Sequence, residues 1–286
     1  MTRRIWLRAT ALALVVVGVI VGLTVYFSSE SVPPCLVSGI PTWHPPTDGR
    51  AHRYVVVFPD RAACFFAPGE NHRLVGQLRL DAAHDISSAA PNAEGIALRT
   101  AAGPYTLDLR TRKLAKGGLA PFDTTTLTQT DAQARAMYVT QRGLLGFRVI
   151  DMRDGRTAYV VHFKGFTWNP RFGPNPPSHG LSLAPDRPEL WVLDAPNHTL
   201  HVFDVSAVPR SAPRHLDDVR LDRTLTQPGS LTHSADGRFL YVGDTGDVID
   251  TQSQKSIANL DALAKASVVL EVDWVGGHPV FPGFPR

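Results

Sequence analysis

The chain has 286 residues, of which 43% are hydrophobic and 19% charged, and its formal net charge is +3. This composition fits a folded protein with one large core or two modest ones, and it excludes a disordered or collagen-like chain. Arg3, Arg4 and Arg8 lie ahead of the first apolar stretch and the remaining charges nearly balance, so there is no general positive field to attract nucleic acid.

The first predicted element is a transmembrane helix. Residues Ala9 to Phe27 run 19 positions without a charge, close to the roughly 20 residues with which a helix crosses a bilayer. The arginines before this stretch place the N-terminus in the cytoplasm. We therefore predict a cytoplasmic tip and membrane anchor over residues 1–30 and an extracytoplasmic domain over residues 31–286. A cleaved signal peptide is the alternative, although FSSES after the stretch offers no small-residue cleavage site.

The two cysteines, Cys35 and Cys64, both fall on the side of the membrane where disulfides persist. One bridge between them is favoured, and closing a loop of about 30 residues would contribute about 3 kcal/mol of stability. Two unpaired buried thiols are the alternative. Acylation of Cys35 is not expected, because Val32, Pro33 and Pro34 are not the small residues that precede a lipid-modified cysteine.

A repeated pattern of short strands runs along the domain. Its clearest copies are Ser178 to Val205 and Gly229 to Thr251, each predicted as strand, turn, strand, loop and strand. Three weaker copies lie upstream. Equivalent points of the five copies are about 40 to 55 residues apart, which is typical of a propeller blade. These points are Ala67, Asp108, Asp151, Asp204 and Asp250.

The copies predict an all-β fold, a β-propeller of about six four-stranded blades with a range of five to seven. Five blades follow directly from the copies. Strand-like runs in Ser31 to Thr47 and Ala266 to Phe281 would complete another blade from both chain ends. A pair of immunoglobulin-like sandwiches is the alternative, and the lack of strand–helix alternation argues against an α/β fold.

Four motifs in the last two copies carry a family resemblance: Ala184-Pro185-Asp186, Ser234-Ala235-Asp236-Gly237, Leu240-Tyr241-Val242 and Val248-Ile249-Asp250-Thr251. They resemble the repeats of YVTN-type β-propellers, strongly from Ser178 to Leu260 and loosely upstream. The resemblance implies a radial fold and an extracytoplasmic or surface setting. It implies no activity, because members of that family bind and catalyse very different things.

The repeated aspartates are predicted to be structural. Asp151, Asp204 and Asp250 follow third strands, where a carboxylate can accept backbone N–H bonds and fix the turn. Asp186 and Asp236 are likewise expected in turns, the latter within an Asp-Gly pair typical of hairpins.

The predicted ligand mouth lies where second strands connect to third strands. In a four-stranded blade these connections share a face with the entry to the innermost strand, and loops on a rigid scaffold are where sites are usually built. Arginines from the first three copies would hold a carboxylate or phosphate; ordinary solvated loop charges are the alternative. The predicted ligand-binding residues are Arg61, Arg99, Arg142, Trp168, His179, Asp194 and Asp244.

An additional segment, Gly165 to Ser178, falls on the same face and accounts for the longest interval between copies. Its Phe166, Trp168 and Phe172 offer flat contact surfaces, and its prolines limit the entropy lost on ordering. The segment is a candidate lid, or alternatively a plug above the central channel.

Catalytic motifs are scarce. His179, Asp194 and Asp244 would form the catalytic or metal-ligating core of an enzyme, but their spacing is not that of a metal site. The sequence has no nucleophile elbow, HExxH, Walker loop or dinucleotide fingerprint, and the cofactor, if there is one, stays unknown.

The favoured function is a membrane-tethered binding or scaffolding module for a protein, glycan or small anionic ligand. The alternative is a propeller enzyme, a lactonase-like hydrolase or an oxidoreductase, with a metal or cofactor in its channel.

Overall fold

The computed structural model describes residues 38–59, 61–81, 86, 88–92, 95–117, 128–131, 133–171, 176–222, 230–243, 245–265 and 268–282. All of them belong to the second of two compact units, Pro33–Arg286. The predicted transmembrane span Ala9 to Phe27 and Cys35 lie outside the described residues. Among the residues described, no helix is long and apolar enough to cross a membrane.

The described part of the chain is all-β, with helical structure limited to two single 3₁₀ turns, Pro68–Glu70 and Leu263–Lys265. Its strands form five antiparallel sheets, numbered here in chain order. The strands of sheets 1 and 2 that come first in the chain are β1 (His52–Val57), β2 (Ala62–Ala67), β3 (Arg73–Arg79), β4 (Ser88–Asn92), β5 (Gly95–Thr100), β6 (Gly103–Asp108) and β7 (Lys113–Lys116). Those of sheet 3 are β8 (Thr128–Thr130), β9 (Ala136–Val139), β10 (Gly146–Asp151) and β11 (Arg156–His162).

Sheets 4 and 5 contain the clearest repeats. Sheet 4 consists of β12 (Ser178–Leu183), β13 (Glu189–Asp194), β14 (Thr199–Asp204) and β15 (Arg214–Arg220). Sheet 5 consists of β16 (Leu231–His233), β17 (Phe239–Val242), β18 (Asp247–Asp250) and β19 (Lys255–Asn259). Two more strands, β20 (Val269–Val275) and β21 (His278–Val280), follow at the C-terminal end.

Sheets 2 to 5 are up-and-down meanders in which the spatial order of the strands is their chain order, whereas in sheet 1 β20 lies beside β1. The sequence-derived repeat fits this pattern closely. The equivalent points Ala67, Asp108, Asp151, Asp204 and Asp250 are the last residues of the third strands β2, β6, β10, β14 and β18.

The described residues of sheet 1 do not confirm the favoured count of six blades. The C-terminal run does not begin a further sheet, because β20 pairs with β1 along its whole length, from His52 opposite Trp274 to Val57 opposite Val269. Without β20 the first copy would have three strands and an open edge at β1. The described residues therefore form five sheets, the lower end of the predicted range, with β21 added outside β20.

The second strands are apolar at consecutive positions because both of their faces are covered. In β13, Leu190 and Val192 pack toward sheet 3, while Trp191 and Leu193 pack toward sheet 5. All four side chains are fully buried. A sheet with one solvated face would instead alternate apolar and polar residues.

Four apolar clusters fill the spaces between successive sheets. They join sheets 3 and 4, sheets 4 and 5, sheets 5 and 1, and sheets 1 and 2. The first strands of neighbouring sheets are also in contact, β8 with β12, β12 with β16 and β20 with β4. Sheets 1, 4 and 5 thus each pack against two neighbours, which is the arrangement of a β-propeller and differs from the two-layer cores of immunoglobulin-like sandwiches.

Candidate functional site

The predicted mouth residues occupy equivalent positions in successive sheets. Arg61 lies in the connection from β1 to β2 and adopts a left-handed backbone with φ of 58°. Arg99 lies near the end of β5 and is half-buried, and Arg142 is exposed in the connection from β9 to β10. Asp194 ends β13. In a propeller these second-to-third connections share one edge, which we call the arginine edge.

Of the other predicted residues, Trp168 is fully described and His179 only in its backbone. Trp168 is half-buried in the segment after β11, and its indole Nε1 is buried without a hydrogen-bond partner among the described residues. The backbone of His179 lies in β12, but its side chain is outside the described part of the structure. Asp244 and Phe172 are also outside it.

Asp194 faces the protein interior rather than the loop surface. Its side chain is fully buried, and its Oδ1 accepts hydrogen bonds from the backbone N–H and the side-chain Nδ2 of Asn197 at 3.2 and 2.9 Å. Its Oδ2 lies 3.2 Å from Nε2 of His201. The carboxylate thus fixes its own turn and contacts a histidine of the next strand.

Sequence analysis missed a second polar cluster beside Asp194. Nδ1 of His201 lies 2.5 Å from Oδ1 of Asp218, and Nε2 of His215 lies 2.8 Å from the same oxygen. Burial alone would raise the pKa of the Asp218 carboxyl, but the hydrogen bonds from the two histidines lower it below its usual value. The sequence signal is faint, because His215 and Asp218 are three residues apart in a strand and regular strands place such residues on opposite faces.

A register shift in sheet 4 brings the cluster together. His201 of β14 is opposite Asp218 of β15, and Phe203 is opposite His215, with the irregularity between Val202 and Phe203. Because such a bulge adds one residue to a strand, side chains three apart can reach the same face. Sequence patterns do not specify where a bulge falls.

The opposite strand ends of sheets 1 and 5 carry a network of charged groups. Arg53 of β1 donates to Asp236 at 2.8 Å and to Asp273 at 3.0 Å. Glu271 of β20 accepts the backbone N–H of Ala235 at 2.7 Å, and burial raises the pKa of its carboxyl. Arg53, Asp236 and Asp273 at this edge are therefore paired with one another.

A cleft of about 570 Å³ opens at this same edge between sheets 3 and 4. Arg135 in its lining donates to Asp131 at 2.9 Å, and Arg187 donates to Asp186 at 2.9 Å. Carboxylates therefore already neutralise both guanidinium groups of this cleft, which makes them less able to bind an anionic ligand.

A serine and a histidine meet between sheets 4 and 5. Oγ of Ser182 in β12 lies 2.8 Å from Nδ1 of His233 in β16. Burial, followed by the charge of Arg187, lowers the pKa of His233 to about 3. The imidazole is consequently neutral and a weak base at physiological pH, which suits a hydrogen-bonded core group better than a general base.

The repeated aspartates fix turns as predicted. The Oδ1 atoms of Asp151, Asp204 and Asp250 accept the backbone N–H groups of Arg153, Ser206 and Ser253, at 3.0, 2.9 and 2.7 Å. Hydrogen bonds from Ser206, together with Arg214, lower the pKa of Asp204 to about 2. Asp236 accepts the backbone N–H of Arg238 in its own turn.

Comparisons with known proteins assign no family to the chain. No model of a known protein family matches the sequence, and no curated protein matches it. Among solved structures it is similar to the dihydro-heme d1 dehydrogenase NirN, with 16% identity over 80% of this chain and 47% of that one and a TM-score of 0.35.

Two further solved structures are similar to the chain at comparable levels. A putative 6-phosphogluconolactonase from Bacteroides uniformis is 17% identical over 69% of this chain and 63% of that one, with a TM-score of 0.32. The β-propeller domain of Swd1 from Myceliophteria thermophila is 16% identical over 64% and 57%, with a TM-score of 0.35. The chain spans about half the length of NirN. Because these TM-scores are low, the propeller assignment rests on the strand topology, and the resemblance to YVTN-type repeats stays a prediction.

Proposed function

We propose that this chain is a membrane-tethered extracytoplasmic binding module whose arginine edge holds a small anionic ligand, or an anionic group of a protein or glycan. The observation that carries the proposal is the position of Arg61, Arg99 and Arg142, each in or next to the connection from the second to the third strand of sheets 1, 2 and 3. Guanidinium groups on a rigid scaffold are well suited to bidentate contact with carboxylates and phosphates.

The tether is part of the proposal. Ala9 to Phe27 would cross the membrane, with the arginines before it on the cytoplasmic side. The sheets would then lie on the far side, where a disulfide at Cys64 would persist.

Binding is favoured over hydrolysis by the groups that catalysis would require. Among the described residues, Ser182 and His233 form a nucleophile and base pair within hydrogen-bond distance. The lowered pKa of His233 nevertheless makes it a weak base. Asp194, proposed above for an enzyme core, is buried and engaged with Asn197 and His201. The alternative function, an enzyme, would depend on His179 and Asp244, the other two residues of the predicted core.

The test is a calorimetric titration of the full-length chain in detergent with citrate and, separately, with inorganic phosphate. Replacing Arg61, Arg99 and Arg142 together by alanine is expected to weaken binding of the better probe at least about tenfold, since one decade corresponds to 1.4 kcal/mol. If wild type binds neither probe, or if the triple variant binds as wild type does, the proposal is wrong.

The matched control removes three arginines from the opposite edge. Arg110, Arg153 and Arg210 are exposed and follow the third strands of sheets 2, 3 and 4. Their joint replacement by alanine changes the net charge equally and is expected to leave binding within about twofold of wild type. Equal losses in the two triple variants would indicate general electrostatics rather than a site at the arginine edge.

A further inference from the structure

The cluster of His201, His215 and Asp218 has the composition of a metal site. Nδ1 of His201, Nε2 of His215 and a carboxylate oxygen of Asp218 all lie within 4.8 Å of one another. Tetrahedral metal–ligand bonds of about 2.0 to 2.2 Å place the ligand atoms about 3.3 to 3.6 Å apart, which is wider than the 2.5 and 2.8 Å that separate the two histidine nitrogens from Oδ1 of Asp218. Small shifts of His215 and Asp218, which are 47% and 33% exposed, would open the space between the atoms.

His201 is held as a metal ligand is usually held. Its side chain is 2% exposed, and its ring packs against Phe163 and Phe166 at centroid distances of 3.9 and 4.7 Å. Nε2 faces the buried Asp194, which is itself fixed by Asn197. A carboxylate on the far nitrogen is the common second partner of a ligating histidine, since it fixes the tautomer and makes the other nitrogen more basic.

The charges around His201 also favour a bound cation. His201 lies between two carboxylates, Asp194 on Nε2 and Asp218 on Nδ1, whereas a neutral imidazole has one N–H to donate. A divalent metal would take the place of the proton between Nδ1 of His201 and Asp218, while Nε2 donates its N–H to Asp194. The ion also balances the two negative charges.

The neighbouring cations do not already fill this role. Arg220 donates to the carbonyl oxygen of Asn197 and lies over the ring of Phe166. Arg214, at the start of the same strand, pairs with Asp204 at 2.9 Å. Among the described residues the groups that contact Asp218 are therefore the two histidines and its own strand.

We propose that His201 Nδ1, His215 Nε2 and Asp218 bind a divalent transition metal, with Zn²⁺ as the expected ion. Two imidazoles and one carboxylate favour zinc and its neighbours in the first transition row over Ca²⁺ or Mg²⁺, which prefer oxygen ligands. Three protein ligands leave a coordination position for water or an external donor. The site lies at the outer strands of sheet 4, apart from the innermost strands where a channel ligand would bind.

The experiment uses the full-length chain in detergent, without a histidine tag, freed of metal by chelation. Equilibrium dialysis against Zn²⁺ followed by elemental analysis is expected to give one ion per chain. Co²⁺ in its place is expected to show the visible absorption of a low-coordinate histidine site. A zinc-free protein at saturating Zn²⁺, or a site that takes Ca²⁺ equally well, would overturn the proposal.

Variants locate the ion. His215→Ala and Asp218→Asn alter half-exposed side chains, so both variants are expected to fold, with far-ultraviolet circular dichroism as the check. Each is expected to raise the Kd for Zn²⁺ at least about tenfold and to abolish the Co²⁺ spectrum. His278→Ala, an exposed histidine of β21, is the matched control and is expected to bind as wild type does. Unchanged Zn²⁺ binding in both site variants would place the ion elsewhere and reject this site.

Discussion

Val56 of β1 pairs with Leu270 of β20 in one antiparallel sheet, although more than two hundred residues of chain separate them. This pairing joins the two ends of the described chain in sheet 1. It also places Val272 and Trp274, both almost fully buried, in the apolar cluster between sheets 1 and 2. The C-terminal strand is therefore a structural part of the first repeat.

Removal of residues 268–286 is expected to destroy cooperative unfolding. The truncation exposes the edge of β1 and removes the buried Trp274 indole, so the unfolding free energy should fall by about 5 kcal/mol or more. Urea unfolding followed by tryptophan fluorescence measures this loss. Val275→Ala, at an exposed position of β20, is the control and should change the unfolding free energy by less than about 0.5 kcal/mol. A cooperative transition at the wild-type midpoint in the truncated chain would show that β20 is dispensable.

The disulfide prediction can be tested by comparing two substitutions. Cys64 is fully buried and disulfide-bonded, and Cys35 is the only other cysteine of the sequence. Cys35→Ser and Cys64→Ser should each lower the unfolding free energy by about 3 kcal/mol, because both open the same loop. Peptide mapping by mass spectrometry without reductant should recover the linked peptides. Wild-type stability in Cys35→Ser would contradict this pairing.

Loss of the Ser182 hydroxyl is expected to destabilise the contact between sheets 4 and 5. Ser182→Ala leaves Nδ1 of the largely buried His233 without its side-chain partner, and an unpaired buried polar atom costs about 1–3 kcal/mol. Urea unfolding at neutral pH measures the difference. Ser211→Ala, in an exposed connection, is the control and should change stability by less than about 0.5 kcal/mol. An equal effect of the two substitutions would argue against the Ser182–His233 bond.

His233 is expected to make stability depend on pH. Its pKa is lowered to about 3 by burial, whereas an unfolded histidine titrates near 6.5. Between these values the unfolded chain binds the extra proton, so the contribution of His233 is complete above about pH 6.5 and is lost as the pH falls toward 3.

The measurement compares the unfolding free energy of wild type and His233→Gln from pH 7 to pH 4.5. Because glutamine does not titrate, wild type should lose up to about 1.4 kcal/mol per pH unit relative to the variant. His278→Gln should follow the wild-type profile, since His278 is exposed. Parallel profiles for wild type and His233→Gln would mean that His233 has the same pKa in the folded and unfolded protein, which would contradict the lowered pKa.

The sequence by itself determined the strands of the repeat. Leu190-Trp191-Val192 and Leu240-Tyr241-Val242 are second strands, and the aspartates at 151, 204 and 250 end third strands, as the periodicity indicated. Such features are local: strands buried on both faces need unbroken apolar runs, and a turn needs an acceptor beside its backbone N–H groups. Neighbouring residues therefore specify them.

Only the tertiary structure decided how distant strands meet. The pairing of β20 with β1 set the number of described sheets. An open strand edge can pair with any strand that fits, and the residues of the edge strand do not specify which strand that is. Ser182 reaches His233 because two sheets pack face to face. His215 joins His201 and Asp218 through a register shift between β14 and β15. Contacts of this kind depend on packing and register across long chain separations, which no local pattern of residue types specifies.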